Sequence, residues 1–355
     1  MSDEHTSTAL RTRVTQKDVA ERAGVAVSVV SYVLNNAPRP VAPATRERVL
    51  RAIDELGYRP NEHARRLIQQ NWGGEARPRQ FGIVMSDSHT MISRPFYTTM
   101  LAGILAEAAR QSYSLRFIHL YDSLRNPIIF NEEIQRDRLA GVIVFHYQIG
   151  VERERDLIEK LVERIDNVIC LDFHWAGLPS ILFDQRNAGR IATDHLVALG
   201  HRRIAFLGNR DNRFDGYLDS LRYHGIPFDS ALATGDGGNN SPEDGYQAAL
   251  RVLAWPQRPS AVLGANDEVA LGALGAAHQQ GVRVPDDLSI VGVDDNEMAR
   301  FASPPLTTVS VPKTEMAALA LRTLIDRRDK PDEMPLHMVF PVKLVQRTST
   351  APHRA

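Results

Sequence analysis

Cysteine occurs once in this chain of 355 residues, as Cys170 inside the apolar run VICL. A lone cysteine excludes an internal disulfide and a cysteine-built zinc site, and its setting fits a buried thiol in a reducing compartment. No stretch of roughly 18 apolar residues exists to cross a membrane as a helix. The opening MSDEHTSTALRTRV lacks the apolar core of a signal peptide. It reads as a disordered leader over residues 1–13, so a cytoplasmic location is expected. Catalytic patterns are missing too: no nucleophile elbow, no phosphate-binding loop and no metal-ligand spacing. The 12 histidines are scattered, and a lone GDGG turn carries little information. The chain is expected not to be an enzyme and to need no metal or cofactor.

Net charge is nearly absent, at −1, but only in the sum. Residues 11–80 carry 13 Lys and Arg against 7 Asp and Glu, which leaves the remainder slightly acidic. A basic head on an acidic body suits a polyanionic partner, although a solvated helical surface has the same composition. The length allows two or three domains.

Within the head, Glu21 to Asn36 reads ERAGVAVSVVSYVLNN, and its valines favour a strand. The flanks point the other way. Thr15 and Asp18 form a capping-box-like start. Val19, Ala20 and Ala23 give one apolar face, and Gly24 a left-handed stop. A second short helix then buries Val30, Val33 and Leu34, which makes a helix-turn-helix. Val27, Ser28, Ser31 and Tyr32 fall on its other side. In a major groove a valine methyl meets a thymine methyl, while Ser28 and Tyr32 reach base edges or phosphates. Covering the first helix is the alternative open to Val27 and Val29. A third helix is expected from Pro43 to Leu56, ended by Gly57. A short basic helix follows near residues 61–68, then a linker over 70–80.

The stretches VTQKDVAERAGVAVSVVSYVLNN and ATRERVLRAIDELGYRPNEHARRL resemble the DNA-binding head of the lactose repressor and galactose repressor family of bacterial transcription regulators. The resemblance runs from about residue 14 to residue 348. It implies that Val27, Ser28 and Tyr32 hold base-reading places, with Thr15, Val29, Ser31 and Asn35 completing the DNA-binding set of the head. It also implies a hinge helix in which Asn61, Ala64 and Arg65 meet the DNA and Leu67 wedges into the minor groove at the centre of a palindrome. Such a wedge kinks the duplex, at roughly a few kcal/mol of unstacking. The family usually has serine at the place of Ala26, a hydroxylic residue at Val29 and arginine at Tyr32. The operator half-site is therefore expected to differ from the usual one.

From Phe81 onward strands and helices alternate. FGIVMS, SLRFIHL, GVIVFHY and NVICLD read as buried parallel strands. SILFD, RIAFLG, SAVLGA and LSIVGV follow as a second set, and then a helix from Lys313 to Asp329 and one last strand, HMVFPVKLV. The expected fold is an all-α helix-turn-helix head joined to an α/β body of two doubly wound parallel-sheet lobes. The resemblance makes these lobes of the periplasmic-binding-protein type. The expected domains are the head at 14–59, the hinge helix and linker at 60–80, an effector-binding and dimerisation domain at 81–348, and a tail at 349–355. Lobe 1 takes about 81–178 and 306–329, and lobe 2 about 179–305 and 330–348.

Matched by motif, the effector residues implied by the resemblance are Phe96, Asp172, Arg213, Asn266 and Asp294. Carboxylates and amides suit sugar hydroxyls, and arginine suits hydroxyls or a carboxylate. Capping a helix is the alternative for Asp172, Asn266 and Asp294. The loop GNRDN before Arg213 is shorter than in the family, and Gly237 stands near a place where the family often has a stacking aromatic. Asp184 and His201 read as structural. The expected function is a sequence-specific DNA-binding repressor, a homodimer on a palindromic operator, modulated by a carbohydrate-like small molecule. The alternative is a small-solute binding protein with a vestigial or atypical head.

Overall fold

The computed structural model describes residues 14–34, 41–58, 78–85, 91–145, 152–235, 237–328 and 334–353. Helix α1 (Gln16–Ala23) begins at a capping box: Thr15 N donates to Asp18 Oδ2 at 2.7 Å, and Asp18 N donates back to Thr15 Oγ1 at 3.4 Å. The Thr15 N–H and hydroxyl hold the Asp18 carboxyl below its ordinary pKa. The helix stops at Gly24, whose φ of 64° strains no Cβ. Helix α2 (Val27–Leu34) buries Val30 and Val33 against Val19, Ala20 and Ala23. Helix α3 (Pro43–Leu56) closes this small core with Val49, Ala52 and Ile53. The valine-rich stretch is thus a helix, stabilised by tertiary packing against its neighbours rather than by propensity.

Two six-stranded sheets make up the body. The first contains β1 (Gln80–Met85), β2 (Ser114–Leu120), β3 (Leu139–Phe145), β4 (Val168–Leu171), β5 (Ser180–Phe183) and β11 (His337–Phe340), in the order β11-β5-β4-β3-β1-β2. The second contains β6 (Ile204–Leu207), β7 (Ala233–Thr234), β8 (Ala261–Gly264), β9 (Ser289–Asp294), β10 (Thr307–Ser310) and β12 (Lys343–Val345), in the order β12-β10-β9-β8-β6-β7. Strand β12 runs antiparallel to β10, whereas β9 runs parallel to it. Strands β3 and β9 are buried along their whole length, which is why β3 reads as an unbroken apolar run and β9 as one bounded by Ser289 and Asp294. The connecting helices include α4 (Pro95–Arg110), α5 (Tyr121–Leu124), α6 (Pro127–Glu133), α7 (Glu152–Arg164), α8 (Gln185–Ala198), α9 (Asn212–Tyr223), α10 (Pro242–Leu253), α11 (Asp267–Gln279), α12 (Glu297–Phe301) and α13 (Lys313–Arg327). No helix among the described residues is long and apolar enough to cross a membrane.

Three details differ from the reading of the sequence. SILFD, read as opening the second set in lobe 2, is β5 and pairs with β4 in the first sheet, while β10, read into lobe 1, pairs with β9 in the second, because strand pairing and not chain order decides the sheet. The last strand is two strands, β11 in the first sheet and β12 in the second. Pro341 lies between them and has no N–H for a ladder. Helices α5 and α6 were not expected. Asn126 caps α6, its side chain accepting from Ile128 N at 3.0 Å, with Pro127 in the first turn.

By contacts the chain forms two compact units. One draws on the described residues of Met1–Ser88, Ala108–Ile169 and Thr323–Glu333. The other draws on His89–Glu107, Cys170–Arg322 and Met334–Ala355. Within the second unit, α8 and α9 meet backbone to backbone. A Cβ on Gly216 would lie 1.8 Å from the Arg186 carbonyl oxygen, so only glycine fits there. This close approach fixes the first turn of α9, which carries Arg213.

Candidate DNA-reading face and effector site

Helix α2 turns Val27 and Ser28 outward, with Val27 44% exposed. Val29, Ser31 and Tyr32 are half-buried beside them. Ala26 precedes the helix and accepts from Val29 N at 2.9 Å through its carbonyl; alanine adds no side-chain cap. Thr15 is exposed, and its hydroxyl donates to Asp18 Oδ2 at 2.8 Å. Asn35, Asn61, Ala64, Arg65 and Leu67 lie outside the described residues, as does the side chain of Leu34.

The second unit holds a buried polar cluster. Phe96, in the first turn of α4, has its ring 5.2 Å from Tyr97 and 6.0 Å from Phe183. Asp172 follows β4 and Asp294 ends β9. Both are buried, at φ values of 68° and 121° that are uncommon without glycine. The Arg213 side chain is 13% exposed. Its Nε lies 3.1 Å and 3.2 Å from the two Asp211 carboxylate oxygens, and its Nη2 lies 2.5 Å from Oδ2. Asp211 also caps α9 by accepting from Arg213 N at 2.9 Å. Lys313 Nζ donates to the Asp294 carbonyl oxygen and stands 6.0 Å from the centre of the Phe96 ring.

Burial dominates the electrostatics. It pushes the Asp294 carboxyl up to about 7, against the pull of Lys313 and Arg213. Asp267, at the start of α11, is raised by burial and then by the Asp294 charge. Thr308 Oγ1 at 2.5 Å and Asn296 N at 2.7 Å donate to Asp267 and oppose that shift. For Arg213, burial favours loss of the proton, but Asp211 outweighs it and the guanidinium is held charged. Burial raises the Tyr97 hydroxyl and Asp172 adds to this, while Arg94 and Arg213 oppose. Tyr97 is therefore a neutral phenol, able to donate and to accept.

Asp172, Arg213 and Asp294 thus share one electrostatic neighbourhood, which Tyr97, Asp211 and Lys313 join, and the Phe96 ring borders it against Tyr97 and Lys313. Asp211 was missed in the sequence, where it stands inside GNRDN two residues before Arg213; its capping of α9 is what turns it back onto that side chain. Lys313 had no local signal, because its partner is 19 residues back. Asn266 is tied into the frame: its Oδ1 accepts from Val269 N at 2.8 Å, and its Nδ2 donates to the Asn240 carbonyl at 3.1 Å. Gly237 has φ of 84° and nothing where a Cβ would stand. Arg94 holds the neighbouring loop, with Nε 2.8 Å from Glu268 Oε2 and both Nη atoms 2.7 Å from the carbonyls of Asn239 and Asn240.

Other residues are structural. Asp184 caps α8 through Asn187 N at 2.9 Å. The His201 ring nitrogens bond Ser260 Oγ at 2.9 Å and Ser289 Oγ at 3.0 Å. Burial pushes the Cys170 thiol up to about 12, which leaves it inert. Among the described residues no group of His, Cys, Asp and Glu could hold a metal ion.

Comparison with known proteins agrees with this architecture. Residues 15–61 match the family described as bacterial regulatory proteins, lacI family, and residues 193–350 match the periplasmic binding protein-like domain. The HTH-type transcriptional repressor PurR of Mannheimia succiniciproducens is 32% identical over 324 residues, covering 88% of this chain and 91% of that protein. Among solved structures, the Lac repressor dimer bound to operator and the anti-inducer ONPF has a TM-score of 0.66 at 27% identity, covering 96% of this chain and all of that one. The transcriptional regulator CelR–cellobiose complex has the same TM-score and identity, covering 95% of this chain and all of that one. The chain belongs to the lacI family of bacterial regulatory proteins and is a DNA-binding transcriptional repressor.

Proposed function

We propose that the protein binds a palindromic operator as a homodimer, and that a carbohydrate-like small molecule at the Arg213–Asp294 cluster changes its affinity for DNA. The cluster itself carries this reading. Carboxylates, cations and a phenol gather beside aromatic rings at strand ends, where small ligands bind in α/β folds. The solved neighbours add support, one being a dimer on its operator and another a complex with cellobiose. On α12, Met298 is 60% and Phe301 69% exposed, an apolar surface that a second copy would cover.

In this reading Val27, Ser28 and Tyr32 read base edges, and Thr15, Val29, Ser31 and Asn35 complete the head contact. Asn61, Ala64, Arg65 and Leu67 form the minor-groove contact at the palindrome centre. Phe96, Asp172, Arg213 and Asp294 hold the effector, Asn266 caps α11 beside them, and the protein works in the cytoplasm, on the nucleoid. The test is a titration of an enriched operator fragment with full-length protein, with and without each of a panel of neutral sugars. One sugar is expected to change operator affinity by at least about fivefold, and DNA to change the affinity for that sugar by the same factor. A sugar that binds this cluster and leaves DNA affinity untouched would reduce the protein to a solute binder.

A further inference from the structure

Among the described residues three cations belong to the cluster and its neighbouring loop, and each already has a partner within the chain. Arg94 spends Nε and both Nη atoms on Glu268 and two backbone carbonyls. Lys313 donates to the Asp294 backbone, and its charge lies close enough to favour the Asp294 carboxylate. Arg213 has its Nε–Nη2 edge filled by Asp211. An arginine that recognises phosphate or carboxylate does so through two parallel N–H donors; the chain's own carboxylate occupies the Nε–Nη2 edge and neutralises the charge that the remaining Nη1 edge would offer. The carboxylates of Asp172, Asp211 and Glu268 match the three cations before Asp294 and Asp267 are counted. An incoming anion would have to displace Asp211 or enter a buried place beside it without a cation of its own, which desolvation forbids. Uncharged hydroxyls meet no such opposition, since each can donate to a carboxylate and accept from a single N–H.

We propose that Asp211 is a specificity-determining residue: by keeping Arg213 in an internal ion pair, it admits an uncharged polyhydroxylated effector and turns away phosphorylated or carboxylated analogues. This rests on the reading of the cluster as the effector site. Asp211 also caps α9, a task that asparagine and serine perform as well. Its charge can therefore be removed without removing the cap.

The test uses full-length protein, wild type and Asp211→Asn, melted with glucose, glucuronate, glucose 6-phosphate or inorganic phosphate. Asp211→Ser serves as a second uncharged cap if the first variant does not fold. The melting temperature of the wild type is expected to ignore the three anions. The variant is expected to bind at least one of them, about tenfold or more tighter than the wild type does, and the added substitution Arg213→Gln should abolish that gain. Wild-type binding of an anion that is tighter than its binding of glucose and lost in Arg213→Gln would overturn the proposal. So would an uncharged variant that melts like the wild type and takes no anion. A neutral sugar that binds without altering operator affinity sinks the regulatory reading and leaves this charge rule standing.

Discussion

Asp294 sits at φ of 121° with its carboxyl buried, a conformation that persists only where the surroundings over-determine it. Its folded pKa of about 7 stands above the unfolded value of roughly 3.9. Between those values the folded protein keeps a proton that the unfolded chain has released, so this group destabilises increasingly as pH rises through the window. Burial lowers the pKa of His195 and His201, and these groups act in the opposite direction. The informative quantity is thus the stability difference between wild type and Asp294→Asn. Urea unfolding from pH 5 to pH 7 is expected to show it moving against the wild type by about 1 kcal/mol per pH unit, and a constant difference would contradict this. Asp294 and Asp172 were legible because they end apolar runs, GVDD and VICLD. The Asp211–Arg213 pair was not, because two residues so close pair only when a cap turns one back on the other. For Asn266 both readings were open, and the structure shows its side chain capping α11.

Helices α8 and α9 tie packing to the site. Gly216→Ala would put a methyl group against the Arg186 carbonyl, separate the two helices and displace Arg213. It is expected to cost roughly 1–3 kcal/mol by urea unfolding and to weaken sugar binding. Gly275→Ala on α11 is the control, since its Cβ would meet Tyr246 at an ordinary 3.6 Å. It should be neutral or stabilise by roughly 0.4–1 kcal/mol. Equal losses at both positions would contradict the close-packing account. The α2 helix was readable from its flanks, Thr15 on one side and the third helix on the other. The split of the last strand was less so: Pro341 marks a break, but no residue there says which sheet each half joins. Helix α6 has a local signal, an asparagine cap followed by proline in the first turn at Asn126-Pro127.

At the scale of the molecule, the alternation of strands and helices was legible as two mostly parallel sheets, each of six strands among the described residues, but which sheet β5 and β10 join was not. The assignment of segments to compact units was not legible, because it depends on contacts far apart in sequence. The proposed homodimer can be tested at the exposed apolar pair on α12. Met298→Lys with Phe301→Lys is expected to give monomers by sedimentation at micromolar concentration. Operator affinity should drop by at least about tenfold, because each monomer then holds one half-site. A dimer that survives both changes would place the interface elsewhere. The most direct test of the whole reading is enrichment of preferred sites from a random DNA pool with purified full-length protein. The expected result is a palindrome with a flexible central step, its half-site altered by Tyr32→Arg. A single half-site without two-fold symmetry, or no enrichment in the presence or absence of sugars, would contradict it.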